Sequence, residues 1–247
     1  MSKHFRILEN HPDVFSALAE KLGLPKSITF HDIYTLDPPS LPAGTPPAVA
    51  LITIIPMTPA WRANRQAEDA AGLGADYHAA AQSSVPDKYN DILWFKQTIP
   101  DACGSIALLH SALNGACAGD IIPGSTLERL RDAALPLAME ARAQMLYDSD
   151  EFEAAHQSVA SMGDTAAPEI GDPRALGRHF VAFVKANGRL WELEGNRLGP
   201  VDRGALGDDE DVLSPRALEL GLGRVIKLEQ TSGGGDVNFS CVAVVKG

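Results

Sequence analysis

Four residues of this chain could together carry out nucleophilic chemistry: Gln97, Cys103, His179 and Glu194. Cys103 lies within Asp91 to Gly115, DILWFKQTIPDACGSIALLHSALNG. Asp101 suits a helix N-cap, and Ile106, Leu109 and Leu113 follow at helical spacing before Asn114-Gly115 supplies a stop. The pattern predicts Cys103 in the first turn of a mostly buried helix. Unpaired N–H groups and the helix dipole favour thiolate over thiol there. Gln97, six residues upstream, brings an amide donor within reach of an anion forming beside the sulfur. A nucleophile with such a donor is half of an acyl-transfer site. Cysteine is also among the most buried residue types, so a packing role fits the same pattern.

A thiolate needs a base, and the base needs orienting. Of the seven histidines, His4 and His11 lie near the terminus, His31 in a short strand, and His78 and His156 in polar segments. His110 shares the helix of Cys103 but sits about 10 Å along it by helical rise, too far for direct proton transfer. His179 opens HFVAFVKANGRLWELEG, two alternating runs around Asn187-Gly188, a preferred two-residue hairpin turn. In that register Val181 faces Glu194 and His179 faces Asn196, so His179, Val181, Glu192, Glu194 and Asn196 share one face. Glu194 can then hold the second nitrogen of His179, with Glu192 as the fallback. A cross-strand His–Glu pair on a solvated face fits the same residues.

No HExxH or other metal spacing occurs. GLGADY at 72–77 lacks the third glycine of a dinucleotide fingerprint and follows no strand. Neither a metal nor a cofactor is expected.

The elements that must position these groups can be read in order. Phe5, Ile7 and Leu8 form a strand-like start, and a helix follows from Pro12 to about Leu22. Residues 29–35 alternate like a short strand, and a proline-rich connection leads to AVALITII at 48–55. That run is apolar on both faces except for Thr53, as in the middle of a sheet. A helix from Pro59 to about Ala71 is predicted, and Ile92 to Phe95 have the length of a short strand. Ser125-Thr126-Leu127-Glu128 opens a further helix as a capping box. Residues 148–173 are polar, rich in small side chains and read as a long loop. After the hairpin, Arg197 to Val201 could add a third strand, a helix begins near Pro215, Gly233–Gly235 form a turn, and VNFSCVAVV at 237–245 is a closing strand. Helices early and antiparallel strands late imply an α+β protein, not a doubly wound one.

With 247 residues, 45% hydrophobic and 21% charged, the chain is globular. No apolar run reaches membrane-spanning length and MSKHFRILEN lacks a signal-peptide pattern. Cys103, Cys117 and Cys241 are widely spaced and odd in number, which points to a reducing, intracellular setting. A net charge of −11 argues against nucleic acid and anionic membranes and permits a basic partner.

The ordered motifs resemble the ubiquitin C-terminal hydrolases, cysteine peptidases of the papain-like clan. The family's active-site block looks like KQTI-x-x-ACGT-I-x-L-x-H, and Lys96-Gln97-Thr98-Ile99 with Ala102-Cys103-Gly104-Ser105 follow it closely. HFVAFV and LWELEG, LENHPDVFSALAEKLGL, DIYTLD, ALITIIPMT and VNFSCVAVV extend the resemblance over almost the whole chain as one catalytic domain, 1–247. The resemblance implies Cys103 as nucleophile, His179 as general base and acid, Glu194 as the group that orients it, and Gln97 in the oxyanion hole. It implies a papain-like sheet flanked by helices, a knotted backbone, and 148–173 as a crossover loop that limits substrates to small or unstructured adducts. The partner would be the C-terminal glycine of ubiquitin or of a ubiquitin-like modifier, with Glu9 near it and acidic residues of 148–170 facing its basic tail. Glu194 departs from the family's usual Asp by one methylene. That leaves open a modifier-binding module with weakened catalysis, or a hydrolase of another modifier. The chain ends at Gly247 directly after the last family strand, so a free-standing monomer, cytoplasmic or also nuclear, is expected.

Overall fold

In this computed structural model, residues 3–37, 39–80, 89, 91–163, 177–232 and 239–247 are described. In chain order they form α1 (Pro12–Leu22), β1 (Ile28–Asp32), β2 (Ala48–Pro56), α2 (Pro59–Ala70) and α3 (Tyr77–Ala80). Next come α4 (Cys103–Ala112), a 3₁₀ turn (Gly115–Asp120), α5 (Thr126–Ala134), α6 (Met139–Asp148) and α7 (Asp150–Val159). The chain continues through β3 (Arg178–Ala186), β4 (Arg189–Leu193), β5 (Val201–Ala205), α8 (Pro215–Leu220), α9 (Leu222–Thr231) and β6 (Ser240–Lys246).

The strands make one six-stranded sheet in the order β1-β6-β2-β3-β4-β5. All its pairings are antiparallel. The run that is apolar on both faces, β2, lies between β6 and β3, where helices cover both sides. On one face α1 and α4 pack through Phe15, Leu18, Ile106 and Leu109 against Phe180, Ala182 and Val244. On the other, Trp61 of α2 and Leu222 and Val225 of α9 cover Val181, Phe183 and Leu190. Each such side chain taken fully out of water contributes about 1.5–3 kcal/mol. The fold is therefore α+β, as the order of elements implies.

Local signals held where the backbone itself decides. Asn187 and Gly188 have φ of 53° and 66°, the left-handed pair of a type I′ turn, and Ala186 pairs with Arg189. Ser125 caps α5 by accepting from the Glu128 N–H at 3.2 Å.

Four expectations are corrected. Phe5 to Leu8 form no strand, although Phe5 and Leu8 are buried, because their backbone meets Pro100 and not the sheet. Ile92 to Phe95 are buried but not paired in the sheet; side chains and loops satisfy their backbone instead. The third hairpin strand is Val201–Ala205, beyond the predicted Arg197–Val201. The polar stretch 148–173 is helical over Asp150–Val159, where Phe152, His156 and Val159 make a buried stripe. The rest of that stretch beyond Gly163, the crossover it was expected to form, its part in a knot, and the Gly233–Gly235 turn lie outside the described residues.

A buried lattice of opposite charges ties the far edge of the sheet to its helices. Glu192 of β4 accepts from Arg197 Nη2 at 2.9 Å and Arg203 Nε at 2.8 Å. Glu68 of α2 accepts from Arg197 at 2.7 Å, and from Arg203 and Arg224 at 2.9 Å each. Burial would raise the Glu192 carboxyl, but Arg203, Arg197 and Arg224 outweigh it and hold it at about 2. A depressed carboxyl contributes stability that is present above its unfolded value and is lost as pH falls toward its folded one. The lattice should therefore release up to roughly 3 kcal/mol between about pH 4.5 and pH 2. Thermal melting against pH checks this: wild type should lose melting temperature steeply in that window. Glu192→Gln should be destabilised at pH 7 by about 3–5 kcal/mol, because it strands buried guanidinium groups, and should show a flatter acid limb.

Candidate active site

Cys103 begins α4, but the cap differs from the sequence reading. Ala102 occupies the N-cap position with no side-chain hydrogen bond. Asp101 instead adopts φ 61°, and its carboxylate meets His4 Nε2 at 2.7 Å. The Phe5 N–H donates to the Pro100 carbonyl at 3.1 Å, so the N-terminal segment clamps the turn just ahead of the cysteine. The helix is buried from Gly104 to Ala112 on every side, which fixes its axis. A Cβ on Gly104 would stand 3.4 Å from the Phe180 ring, next in sequence to His179. This close packing draws the first turn of α4 toward the start of β3.

Polar side chains stitch α4 to its surroundings. Leu93 donates its N–H to Asn114 Oδ1 at 2.7 Å and accepts from Asn114 Nδ2 at 3.0 Å, so the predicted helix stop is also a clamp. His110 Nε2 accepts from the Phe95 N–H at 3.0 Å, which leaves the ring proton on Nδ1. His156 faces the Arg6 carbonyl through Nε2 at 2.8 Å, so that nitrogen donates and Nδ1 accepts from Ser105, 2.6 Å away. Burial pushes both imidazoles down to about 4, and both are neutral structural parts.

His179 behaves in the opposite way. It is 5% exposed, and its Nε2 lies 2.7 Å from Oε1 of Glu194, itself 1% exposed. The Cys103 side chain lies close enough to the ring to act on its charge. Burial alone would lower this imidazole, but the Glu194 carboxylate first, and Cys103 beside the ring, lift it to about 10. Burial likewise acts to raise Glu194, and His179 first, then Arg65 and the Asn196 N–H, carry it below the usual carboxylate range. The pair is therefore imidazolium and carboxylate at neutral pH. The contact is close in distance, yet the ring N–H is not aimed along it, and Nε2 has no aligned hydrogen bond among the described residues. That misalignment sits where a glutamate brings one methylene more than an aspartate.

Glu192, the fallback acid, does not face His179; the arginines of the lattice hold it. Gln97 lies against the acid's turn: its N–H donates to the Gly195 carbonyl at 2.8 Å, and a Cβ on Gly195 would meet the Gln97 Cβ at 2.8 Å. Only glycine permits that approach. The Gln97 amide donates to the Ile99 carbonyl at 3.3 Å, and its Oε1 is buried without a hydrogen bond. Glu9 packs beside Gly163, where a Cβ would come within 2.1 Å of Oε2.

The structure thus brings Cys103, His179 and Glu194 into contact, with Gln97 on the adjoining turn and Glu9 elsewhere on the surface. Sequence reading missed Arg65, Arg197, Asn114 and the buried part played by His156. No spacing marks these roles, because the contacts that define them include Arg65 to Glu194, Arg197 to Glu68, Asn114 to Leu93 and His156 to Ser105, each between separate elements. Among the described residues no group of three or more His, Cys, Asp or Glu could hold a metal ion, and no helix is long and apolar enough to cross a membrane.

A cysteine beside an imidazolium that is backed by a carboxylate is equipped for acyl transfer. Residues 5–222 match the family model described as ubiquitin carboxyl-terminal hydrolase, family 1. Ubiquitin carboxyl-terminal hydrolase 3 of Arabidopsis thaliana is 30% identical over 99% of this chain and 95% of its own length. Isozyme L1 of Rattus norvegicus is 30% identical over 97% of each chain. The UCH37 catalytic domain of Trichinella spiralis, solved bound to ubiquitin vinyl methyl ester, shares the fold with a TM-score of 0.72 at 20% identity, over 99% of this chain and 96% of that one. By sequence, fold and the chemistry of its site, the chain belongs to family 1 of the ubiquitin carboxyl-terminal hydrolases, cysteine-type peptidases.

Proposed function

We propose that this chain is a thiol-dependent deubiquitinase that releases small or unstructured adducts from the C-terminal glycine of ubiquitin. One observation carries the reading: a cysteine at a helix start beside a buried histidine that contacts a buried glutamate. Family membership supplies the substrate class.

In this reading Cys103 attacks the glycyl carbonyl, and the oxyanion is met by the Gln97 amide and the Cys103 N–H. His179 protonates the leaving amine, and then activates water to cleave the thioester. Glu194 keeps His179 charged and oriented. Glu9, beside Gly163, is the residue assigned to the modifier's tail. The enzyme works as a single catalytic domain and a monomer in the reducing cytoplasm, where its three free cysteines remain thiols. A second reading rests on the unaligned His179–Glu194 contact: a modifier-binding protein with slow turnover, accelerated by Glu194→Asp.

Hydrolysis of a fluorogenic ubiquitin C-terminal amide decides between them. Wild type should turn over, Cys103→Ala should not, and the latter should melt with wild type. Gln97→Ala should lose about 10²–10³ in kcat, the worth of one oxyanion donor. Tight ubiquitin binding without wild-type turnover, relieved by Glu194→Asp, would favour the second reading. The pH profile tests His179. Its raised value keeps the imidazolium intact through neutral pH and loses it as pH rises through about 10. Activity should therefore fall on the alkaline side near that value, not near the 6.5 of an unperturbed histidine. The stability contributed by the His179–Glu194 pair should be full below that unperturbed value and be lost over the same alkaline rise.

A further inference from the structure

The carboxylate of Glu194 has two differently served oxygens. Oε1 faces His179 at 2.7 Å and accepts from the Asn196 N–H at 2.9 Å. Oε2 is buried and has no hydrogen-bond partner among the described residues. Two cations stand near it, Arg65 Nε at 3.4 Å and Arg197 Nε at 3.8 Å. Arg197 is already committed, with contacts of 2.7 Å to Glu68, 2.9 Å to Glu192 and 3.3 Å to Asp69. Arg65 is the nearer, and its Nη2 donates to the Asn196 carbonyl. Its guanidinium therefore spans both ends of the Glu194–Asn196 turn, the acid's outer oxygen and the carbonyl two residues on. The guanidinium also lies over the buried Trp61 ring, 5.4 Å from its centroid, and 3.8 Å from Asp69 on the same helix, so it is itself held in place.

From this geometry we infer that Arg65 is a positioning residue for the catalytic acid, fixing the outer oxygen of Glu194 and its turn so that the inner oxygen is presented to His179. The inference rests on the triad roles given above. A glutamate has one more rotatable bond than an aspartate, and an unheld carboxylate at this site has more conformations to lose in reaching the imidazole. A planar guanidinium hydrogen-bonded to the Asn196 carbonyl and in charge contact with Oε2 supplies that restraint, which a lysine's single charge does not. A misplacement of about 1 Å at a reacting group costs on the order of 10²-fold in rate. Shortening the acid by one methylene draws the carboxylate away from Arg65, so the restraint matters less with aspartate.

The test is a double-mutant cycle between Arg65→Gln and Glu194→Asp, read by kcat and KM on the ubiquitin amide and by the alkylation rate of Cys103 with iodoacetamide. Alkylation needs no ubiquitin. It reads Cys103 alone, because Cys117 and Cys241 are buried with thiols pushed up to about 12. Arg65→Gln should lower kcat and the alkylation rate about 10–100-fold with KM little changed. Arg65→Lys should not restore either rate, and the loss should be at least about fivefold smaller beside Glu194→Asp. Equal losses in both acid backgrounds, or unchanged rates in Arg65→Gln, would overturn the inference. If Arg65→Gln melts early, the folded Arg65→Lys decides, with wild-type rates counting against the inference. A wild type that alkylates rapidly but leaves the ubiquitin amide intact would remove the proposed substrate, while the alkylation cycle still judges Arg65.

Discussion

The arrangement depends on one ion pair taken out of water. A carboxylate and an imidazolium both lose hydration on burial, and their attraction offsets that loss only when the remaining oxygens and protons are served. Here Asn196 serves the inner oxygen of Glu194 with its N–H. Arg65 and Arg197 approach the outer oxygen. Behind them, Glu68 and Glu192 absorb the positive charge of Arg197, Arg203 and Arg224. The sheet edge, two helices and the reactive pair therefore share one electrostatic lattice.

Three buried histidines show how the same side chain is set to different work. His110 and His156 meet backbone and hydroxyl groups, and burial keeps them neutral. They serve as hydrogen-bonding struts for the helix that begins at Cys103. His179 meets a carboxylate, and burial is overruled. Removing water penalises the charged form, and a fixed opposite charge in the same dry site more than returns the loss.

Cys103 is held by packing more than by capping. α4 lacks a side-chain cap, yet it is enclosed from Gly104 to Ala112, and its entry turn is clamped by Phe5 and His4. The strip from Ile92 to Gln97, buried as far as Phe95, runs between this helix and the end of β4. It is bonded to Asn114, His110 and Arg142 on one side and to Gly195 on the other. Through that strip Gln97 and the Glu194 turn are kept in register with Cys103.

How much of this was legible in the sequence follows from the range of the forces involved. The sequence by itself determined α1, β2, the Asn187-Gly188 hairpin and the helix of Cys103, because helix and strand periods, a type I′ turn and a proline at a helix start are local. The hairpin register also put Glu194 two residues along the same strand face as Glu192, so both acids were candidates. Only the tertiary structure separated them, since the arginines that claim Glu192 come from β5, α9 and the turn after β4. It also decided that Ile92 to Phe95 stay outside the sheet, that Asp101 binds His4 and not the helix end, and that residues 150–159 are helical. In each case an apolar run or a polar side chain has several local solutions of similar energy. The choice among them falls to groups distant in sequence that supply the missing hydrogen bond, charge or buried contact.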